Sequence, residues 1–157
     1  MRKIFFDLLF KEMEYNSNII LLTADMGYGL LDTIKNTYPN RFFNFGSSEQ
    51  LMIGAASGMS MEGKIPVCYS ITSFLLYYPF AFIRHFMNNE NLPIKLVGGG
   101  RNKDYGYLGS THWAEDDIDI MCALPNIRLY KPNLEELNSL FPDFINSKFP
   151  SYINLSK

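Results

Sequence analysis

Short runs of purely apolar residues alternate along this 157-residue chain with segments of helical spacing. Residues 19–22, Ile-Ile-Leu-Leu, contain no polar side chain, which is typical of a strand buried on both faces. Residues 2–15 instead repeat their apolar side chains at helical intervals. This alternation predicts a mainly parallel sheet with helices on both faces, a three-layer α/β/α fold.

The same pattern continues to the last residue without a linker, a repeat or a low-complexity tract. We therefore expect a single domain over residues 1–157. Further strands are predicted over residues 41–45, 64–70, 94–97, 127–130 and 152–155. Further helices are predicted over residues 30–37, from Ser47 or Ser48 to about Met61, from Pro79 to about Met87, and over 113–123 and 133–147.

Composition excludes several classes of protein. With 47% hydrophobic residues, 19% charged residues and a net charge of −2, the chain is too apolar to be disordered. It has no basic run, so nucleic acid is not an expected partner, and no apolar stretch of the ~18 residues that span a membrane. Cys68 and Cys122 lie far apart in apolar runs, so we expect two buried, reduced thiols in a cytoplasmic protein.

Parallel sheets bind ligands at the carboxyl ends of their strands, which makes the segment Phe-Gly-Ser-Ser-Glu-Gln at residues 45–50 a candidate site. Two interpretations fit its spacing. Ser47 could cap the next helix while Glu49 complements the positive N-terminus of that helix. Alternatively, Glu49 is a carboxylate presented to a ligand, and the spacing by itself leaves both interpretations open.

A second candidate segment, at the junction after residue 70, is rich in large apolar side chains. Ordinary core packing would explain these side chains. However, polar Thr72 and Ser73 stand among them, which is unusual for a core interior, and a flat-walled pocket for a planar ring is the alternative interpretation. The apolar residues are Ile71, Phe74, Tyr77, Tyr78, Phe80 and Phe82.

A third candidate segment begins at the triple glycine of residues 98–100 and ends at His112. The glycines match neither of the common phosphate-binding patterns. A histidine at the end of such a loop is either a solvated side chain or a site residue.

Five short motifs in a fixed order carry a resemblance to a known family. They are T-A-D at 23–25, F-G-S-S-E-Q at 45–50, G-M-S-M-E-G-K-I-P at 58–66, G-S-T-H at 109–112 and A-L-P-N-I-R-L-Y-K-P at 123–132. Together they resemble the pyrimidine-binding, central domain of the transketolase family of thiamine diphosphate enzymes, which includes deoxyxylulose-phosphate synthase. The resemblance covers about residues 2–157 and implies the same α/β fold.

The resemblance implies a binding site for thiamine diphosphate. Glu49 matches the glutamate that hydrogen-bonds the aminopyrimidine ring and activates the cofactor for cleavage and formation of carbon–carbon bonds, so it is a catalytic and cofactor-binding candidate. Ile71, Phe74 and Tyr77 fall at positions whose side chains surround the pyrimidine. Asp25 matches an acidic residue that lies near the cofactor where two protein chains meet.

The resemblance also implies substrate contacts. His112 matches a catalytic histidine that faces the substrate, and Lys157 stands where an arginine commonly holds a substrate phosphate. Two positions depart from the family: Gly100 replaces an expected histidine and Leu108 replaces an expected acidic residue. The implied substrate is a ketose or a 2-keto acid. Because of the two departures, we expect a smaller or less hydroxylated substrate, such as a 2-keto acid or a modified sugar, in place of ordinary ketose-phosphate transfer.

The family binds Mg²⁺ and the diphosphate through a G-D-G motif, followed some thirty residues later by an asparagine, on a different domain. Residues 25–29, Asp-Met-Gly-Tyr-Gly, do not match this motif, so we expect no metal ligand on this chain. The family's carboxy-terminal domain also has no counterpart in the sequence. We therefore expect a split enzyme that acts only with a diphosphate-binding partner subunit in a hetero-oligomer, with self-association as the alternative for this chain alone.

Three other interpretations remain open at this point. Gly100 and Leu108 favour a catalytically degenerate regulatory or scaffolding subunit, whereas the retained Glu49 and aromatic segment do not. The beta-type subunit of a 2-oxo acid dehydrogenase uses the same kind of domain. An unrelated flavodoxin-like binding module with a chance pattern is the third.

Overall fold

A single six-stranded sheet organises the computed structural model, which describes residues 1–157. The strands lie in the order β2-β1-β3-β4-β6-β5, and every neighbouring pair is parallel. Their bounds are β1 Ile19–Thr23, β2 Phe42–Asn44, β3 Ile65–Ile71, β4 Lys95–Gly99, β5 Arg128–Tyr130 and β6 Ser151–Leu155. The predicted parallel α/β sheet is confirmed.

Seven α-helices surround the sheet. They are α1 Arg2–Tyr15, α2 Asp32–Thr37, α3 Glu49–Met61, α4 Thr72–Tyr77, α5 Phe80–Phe82, α6 Asp117–Cys122 and α7 Leu137–Asn146. The chain continues from α5 into a π-helical segment, Ile83–Asn89. None of the helices is both long enough and apolar enough to cross a lipid bilayer.

Two apolar cores lie on opposite faces of the sheet. Successive residues of β1 show the division, because Ile19 and Leu21 enter one core while Ile20 and Leu22 enter the other. Helices α1, α2 and α7 cover the first core. Helices α3, α4 and α6 and the π-helical segment cover the second, so the arrangement is the expected three-layer α/β/α fold.

Several element boundaries differ from the sequence-based prediction. Helix α4 begins directly after β3, where the prediction placed a junction, and Pro79 lies between two short helices instead of starting a long one. The helix predicted from residue 133 begins at Leu137, after a turn in which Asn133 and Glu136 exchange side-chain-to-backbone hydrogen bonds of 2.9 Å. Cys68 is buried as expected, but Cys122 is exposed at the end of α6, so the expectation of a second buried thiol was wrong.

The order of the strands opens a cleft at one point. From β1 the chain proceeds to β2 on one side and then returns to β3 on the other side of β1. The segments that follow β1 and β3 therefore diverge to opposite faces of the sheet. Parallel sheets bind ligands at such a reversal, outside the carboxyl ends of the strands.

Candidate active site

A cavity of about 880 Å³ lies at this reversal. It is built by the segments that follow β1, β2 and β3, together with one face of α3 and of the helices after β3. Its lining residues are Ala24, Asp25, Met26, Ser47, Ser48, Glu49, Gln50, Leu51, Gly54, Ser70, Ile71, Phe74, Tyr78 and Phe82. Four predicted site residues are thus brought together: Asp25, Glu49, Ile71 and Phe74.

The buried carboxylate of Glu49 is the main polar group of this cavity. Glu49 is the first residue of α3 and is only 8% exposed. The Ser70 hydroxyl, at the end of β3, donates a hydrogen bond of 2.8 Å to Oε1 of Glu49. A buried carboxylate needs such partners to offset the loss of water. Oε2 makes no hydrogen bond to the protein and is available to a ligand.

The two serines before Glu49 do not act as helix caps. Ser48 occupies the N-cap position of α3 but makes no side-chain capping bond, and neither serine is buried. Both line the cavity instead. The capping interpretation of this segment is therefore wrong for its serine hydroxyls.

Three aromatic rings, from α4, the turn after it and α5, form the apolar wall of the cavity. Phe74, Tyr78 and Phe82 follow one another at intervals of four, which places them on the same side of successive turns. The ring centroids of Phe74 and Tyr78 are 5.6 Å apart. Gly54 of α3 allows this wall to approach closely, since a Cβ there would lie 3.2 Å from Cε1 of Phe82.

Tyr77, which the sequence analysis proposed as a contact of the pyrimidine, is not among the residues that line the cavity. Its hydroxyl donates a hydrogen bond of 2.5 Å to Oδ1 of Asp116, and burial raises its pKa, with the Asp116 carboxylate adding to the shift. The aromatic residues that line the cavity follow Phe74 at intervals of four, and Tyr77 falls outside that series. Tyr78, the next residue, lines the cavity instead.

Asp25 lies at the rim in a left-handed backbone conformation, with φ of 48°. Its backbone N–H donates to the Asn44 side-chain oxygen at 2.9 Å, and its carboxylate accepts a hydrogen bond from the Tyr28 hydroxyl. The Asn44 oxygen also accepts from the Gly46 N–H at 3.0 Å. These bonds tie the turn after β1 to the end of β2.

A neighbouring cavity of about 600 Å³ shares Asp25, Met26 and Ile71 with the first. Its other lining residues include the cations Arg2, Lys3 and Lys157, so it is markedly more basic. Lys157 lies over the rings of Tyr105 and Tyr107, with Nζ 5.1 and 5.3 Å from their centroids. Lys157 therefore lies beside, and not inside, the cavity that contains Glu49.

His112 contacts the aromatic wall from outside the main cavity. Its ring meets the ring of Phe74 edge-on, with centroids 4.8 Å apart, and its Nδ1 lies 3.0 Å from Oγ1 of Thr111. Gly100 has a φ of 94°, and a Cβ there would clash with the ring of Tyr105. No side chain fits at position 100 while Tyr105 holds its place.

Sequence reasoning missed four residues of this region. Tyr78 and Phe82 were noted only as aromatic side chains, although a period of four counted from Phe74 would have selected them. Ser70, a polar residue at the end of an apolar strand, carried a weak signal. Tyr105 carried none, because its position depends on how the glycine-containing loop folds.

A carboxylate beside an aromatic wall, at the reversal point of a parallel sheet, forms a candidate ligand-binding site. The family model for the pyrimidine-binding domain of transketolase matches residues 1–157, and the chain belongs to this family. The resemblance found in the five motifs is confirmed.

Similar proteins include subunits of split transketolases. The chain is 29% identical over 157 residues to the 6-deoxy-6-sulfo-D-fructose transketolase subunit SqwH of Clostridium sp. (strain MSTE9), covering 99% of this chain and 49% of that protein. It is 32% identical over 119 residues to an apulose-4-phosphate transketolase subunit of Actinobacillus succinogenes. That match covers 75% of this chain and 38% of that protein.

Among solved structures, a split-gene transketolase described as an inactive beta4 tetramer matches with a TM-score of 0.86 and 26% identity. That match covers 99% of this chain and 50% of the other. The chain thus spans about half of the length of these relatives, or less.

Proposed function

We propose that this chain, as one domain over residues 1–157, supplies the pyrimidine-binding half of the active site in a split, thiamine diphosphate-dependent, transketolase-like enzyme. A partner subunit would supply the Mg²⁺ and diphosphate site. The observation that carries this proposal is the buried Glu49 carboxylate, held by Ser70 beside the aromatic wall.

The residues of the main cavity fit an aminopyrimidine ring. A planar, polar heterocycle needs flat apolar contacts on its faces and a hydrogen-bonding group at its edge. Phe74 and Ile71 offer the apolar contacts, and Glu49 offers Oε2 at the edge. When bound, thiamine diphosphate supplies the electron sink for cleavage and formation of carbon–carbon bonds.

In this proposal each residue of the chain has a defined task. Glu49 shares a proton with a ring nitrogen of the pyrimidine through Oε2. Ser70 fixes the orientation of the carboxylate by donating to Oε1. Phe74 and Tyr78 exclude water, which strengthens the hydrogen bond made by Glu49.

The exposed rim of the cavity supports a partner subunit. Leu51 and Tyr78 line the cavity and yet are 63% and 66% exposed, so a second protein surface would bury them. Asp25 lies at the same rim. A relative described as an inactive tetramer of one chain type is consistent with a requirement for a second chain.

The substrate proposed here is a small ketose or 2-keto acid that carries an acidic group. Arg2 and Lys157 make the neighbouring cavity basic, and His112 lies between it and the aromatic wall through its contacts with Tyr105 and Phe74. Two relatives are named for a sulfonated and a phosphorylated sugar. Both substrate names contain a strong acid, which this cavity would suit.

The test is Glu49→Gln in the complex reconstituted with the diphosphate-binding subunit, thiamine diphosphate and Mg²⁺. Turnover of 3-hydroxypyruvate, used as a 2-keto acid probe, should fall by about 10² to 10⁴, because an amide at position 49 cannot exchange a proton with the ring nitrogen. Assembly should be unchanged, since glutamine can still accept the Ser70 bond. Glu62→Gln, an exposed change after the same helix, is the matched control. Full turnover by Glu49→Gln would contradict the proposal.

A catalytically degenerate regulatory subunit is the second candidate, and one observation favours it. Tyr105 fills the space beside Gly100, so the position lacks the side chain that the family resemblance implies there. The same experiment separates the two functions. Binding of thiamine diphosphate without any turnover by the wild-type complex would favour the regulatory subunit.

A further inference from the structure

We propose that Ser73, assisted by Thr72, is a positioning residue that holds His112 at the aromatic wall of the cofactor cavity. The inference rests on the proposed function, in which His112 faces the substrate. It explains why two polar residues stand among the aromatic side chains at the start of α4.

The two hydroxyls hold opposite ends of one loop. Oγ1 of Thr72 donates to the Gly100 carbonyl, and Oγ of Ser73 donates to the Thr111 carbonyl, both at 2.7 Å. Both side chains are fully or almost fully buried. Consecutive residues of one helix thus fasten the start and the end of the segment that leads from β4 to His112.

The first half of this segment is also held by other bonds, because the Arg101 guanidinium donates to Asn154 and Pro132 and the Tyr105 hydroxyl accepts from Arg2. From Gly106 to His112, the Ser73–Thr111 bond is the one hydrogen bond that reaches outside residues 100–113. Between Arg101 and Thr111, Tyr105 is the only buried residue. Segments with few buried side chains open easily on their own. The Ser73 bond is therefore expected to decide where the end of the segment, with His112, lies.

The anchor at Thr111 reaches His112 directly. Thr111 accepts the Ser73 bond through its carbonyl, while its own hydroxyl lies 3.0 Å from Nδ1 of His112. Phe74, the residue after Ser73, contacts the imidazole ring of His112, with ring centroids 4.8 Å apart. Ser73 and Phe74 together fix both the backbone and the ring at position 112.

The anchor at Gly100 explains part of the triple glycine. A Cβ on Gly98 would lie 2.5 Å from Oγ1 of Thr72 and 3.1 Å from the Tyr152 hydroxyl. Only glycine at position 98 leaves room for the Thr72 hydroxyl beside β4. Gly98, one of the three glycines that match no phosphate-binding pattern, thus makes room for the hydroxyl that holds the loop.

The chain has two histidines, His85 and His112. In ring ¹H–¹⁵N spectra of the histidine-labelled protein, His112 is therefore the probe and His85 is the internal reference. Ser73→Ala should shift and broaden the His112 signals and leave those of His85 unchanged. Ser73→Thr keeps the hydroxyl and should restore the wild-type His112 signals. Ser57→Ala is the matched control, because Ser57 is equally buried and also donates to a carbonyl, that of Ile53 at 2.8 Å.

In the reconstituted complex, Ser73→Ala should lower kcat/KM for 3-hydroxypyruvate about tenfold, because the reaction rate falls steeply when a catalytic group is displaced. The affinity for thiamine diphosphate should stay within twofold of the wild type, and Ser73→Thr should recover most of the rate. This separates positioning of His112 from a general loss of structure, which would also weaken cofactor binding.

Unchanged His112 signals in Ser73→Ala, or an equal change in Ser57→Ala, would overturn the inference. A wild-type complex with no turnover would contradict the proposed function instead. In that case the histidine spectra still decide whether Ser73 positions His112, so the two failures are distinguishable.

Discussion

The Ser70 hydroxyl donates a hydrogen bond of 2.8 Å to Oε1 of Glu49. This is the one hydrogen bond that the buried carboxylate makes to the protein. The bond joins the end of β3 to the first residue of α3, across 21 positions of sequence. It allows a charged group to be buried at the edge of the sheet without losing all of its hydrogen bonds.

Removing this bond should affect both stability and turnover. We expect Ser70→Ala to lower the free energy of unfolding by about 1–3 kcal/mol, since a buried carboxylate oxygen loses its donor. Turnover by the reconstituted complex should fall about tenfold, because the carboxylate is no longer held in one orientation. Ser57→Ala, which removes another buried hydroxyl, should spare turnover, and wild-type turnover by Ser70→Ala would refute this role.

The aromatic wall can be tested by comparing neighbouring rings. Phe74→Ala should weaken thiamine diphosphate binding by roughly 2- to 10-fold, the usual worth of one aromatic contact. Tyr77→Phe removes only the bond to Asp116 and should leave binding within twofold. Calorimetry on the complex measures both, and the reverse ranking would mean that Tyr77, not the wall described above, contacts the ring.

Lys95 should make stability depend on pH. Its side chain is buried at the start of β4 and donates to the carbonyls of Ser147 and Phe149 at 2.6 and 2.9 Å. Burial lowers the pKa of Lys95 from 10.5 to about 7, and the positive charge of Arg128 contributes to the decrease.

Between these pKa values the unfolded chain binds the Lys95 proton and the folded chain does not, so the free energy of unfolding rises with pH. The slope contributed by this group should approach ~1.4 kcal/mol per pH unit above pH 7. Urea unfolding at pH 7 to 8.5 measures it, with Lys95→Met as the reference. Parallel curves for the two proteins would show that Lys95 stays charged in the folded state.

The close approach of Tyr105 to Gly100 predicts a compensating pair of changes. Gly100→Ala should destabilise the protein by about 1–3 kcal/mol, because it combines a positive φ with a clash against Tyr105. In a chain that already carries Tyr105→Ala, Gly100→Ala should lower the free energy of unfolding by less. The clash is then gone, and only the penalty for an alanine with a positive φ remains. Gly58→Ala, in an open and exposed position of α3, should instead stabilise by about 0.5–1 kcal/mol. Additive effects of the two changes would rule out the clash as the cause.

The exposed rim should carry the contact with the partner subunit. Leu51→Arg places a charge at the cavity mouth and should make assembly with the diphosphate-binding subunit weaker by at least tenfold. Met61→Arg changes an equally exposed apolar residue at the other end of α3 and should have little effect. Analytical ultracentrifugation of the mixtures measures both, and equal effects would place the interface elsewhere.

Local patterns were sufficient for much of the fold. The apolar run of β1 and the helical spacing of α1 are properties of consecutive residues, so the elements and their parallel arrangement could be predicted. Helix α4 could not be, because it follows β3 without a break and both are rich in apolar residues. The position of Glu49 followed from the F-G-S-S-E-Q motif, whereas its partner Ser70 did not, since the bond depends on how α3 packs against β3.

The sequence by itself determined the class of fold, the family and the carboxylate of Glu49, because each is written in short motifs and in apolar periodicity. Tertiary structure alone decided which rings face the cavity, which hydroxyl holds the carboxylate and which side chain fills the space at Gly100. Those outcomes depend on the rotation of a helix about its axis and on the path of a loop, both set by packing between segments distant in sequence.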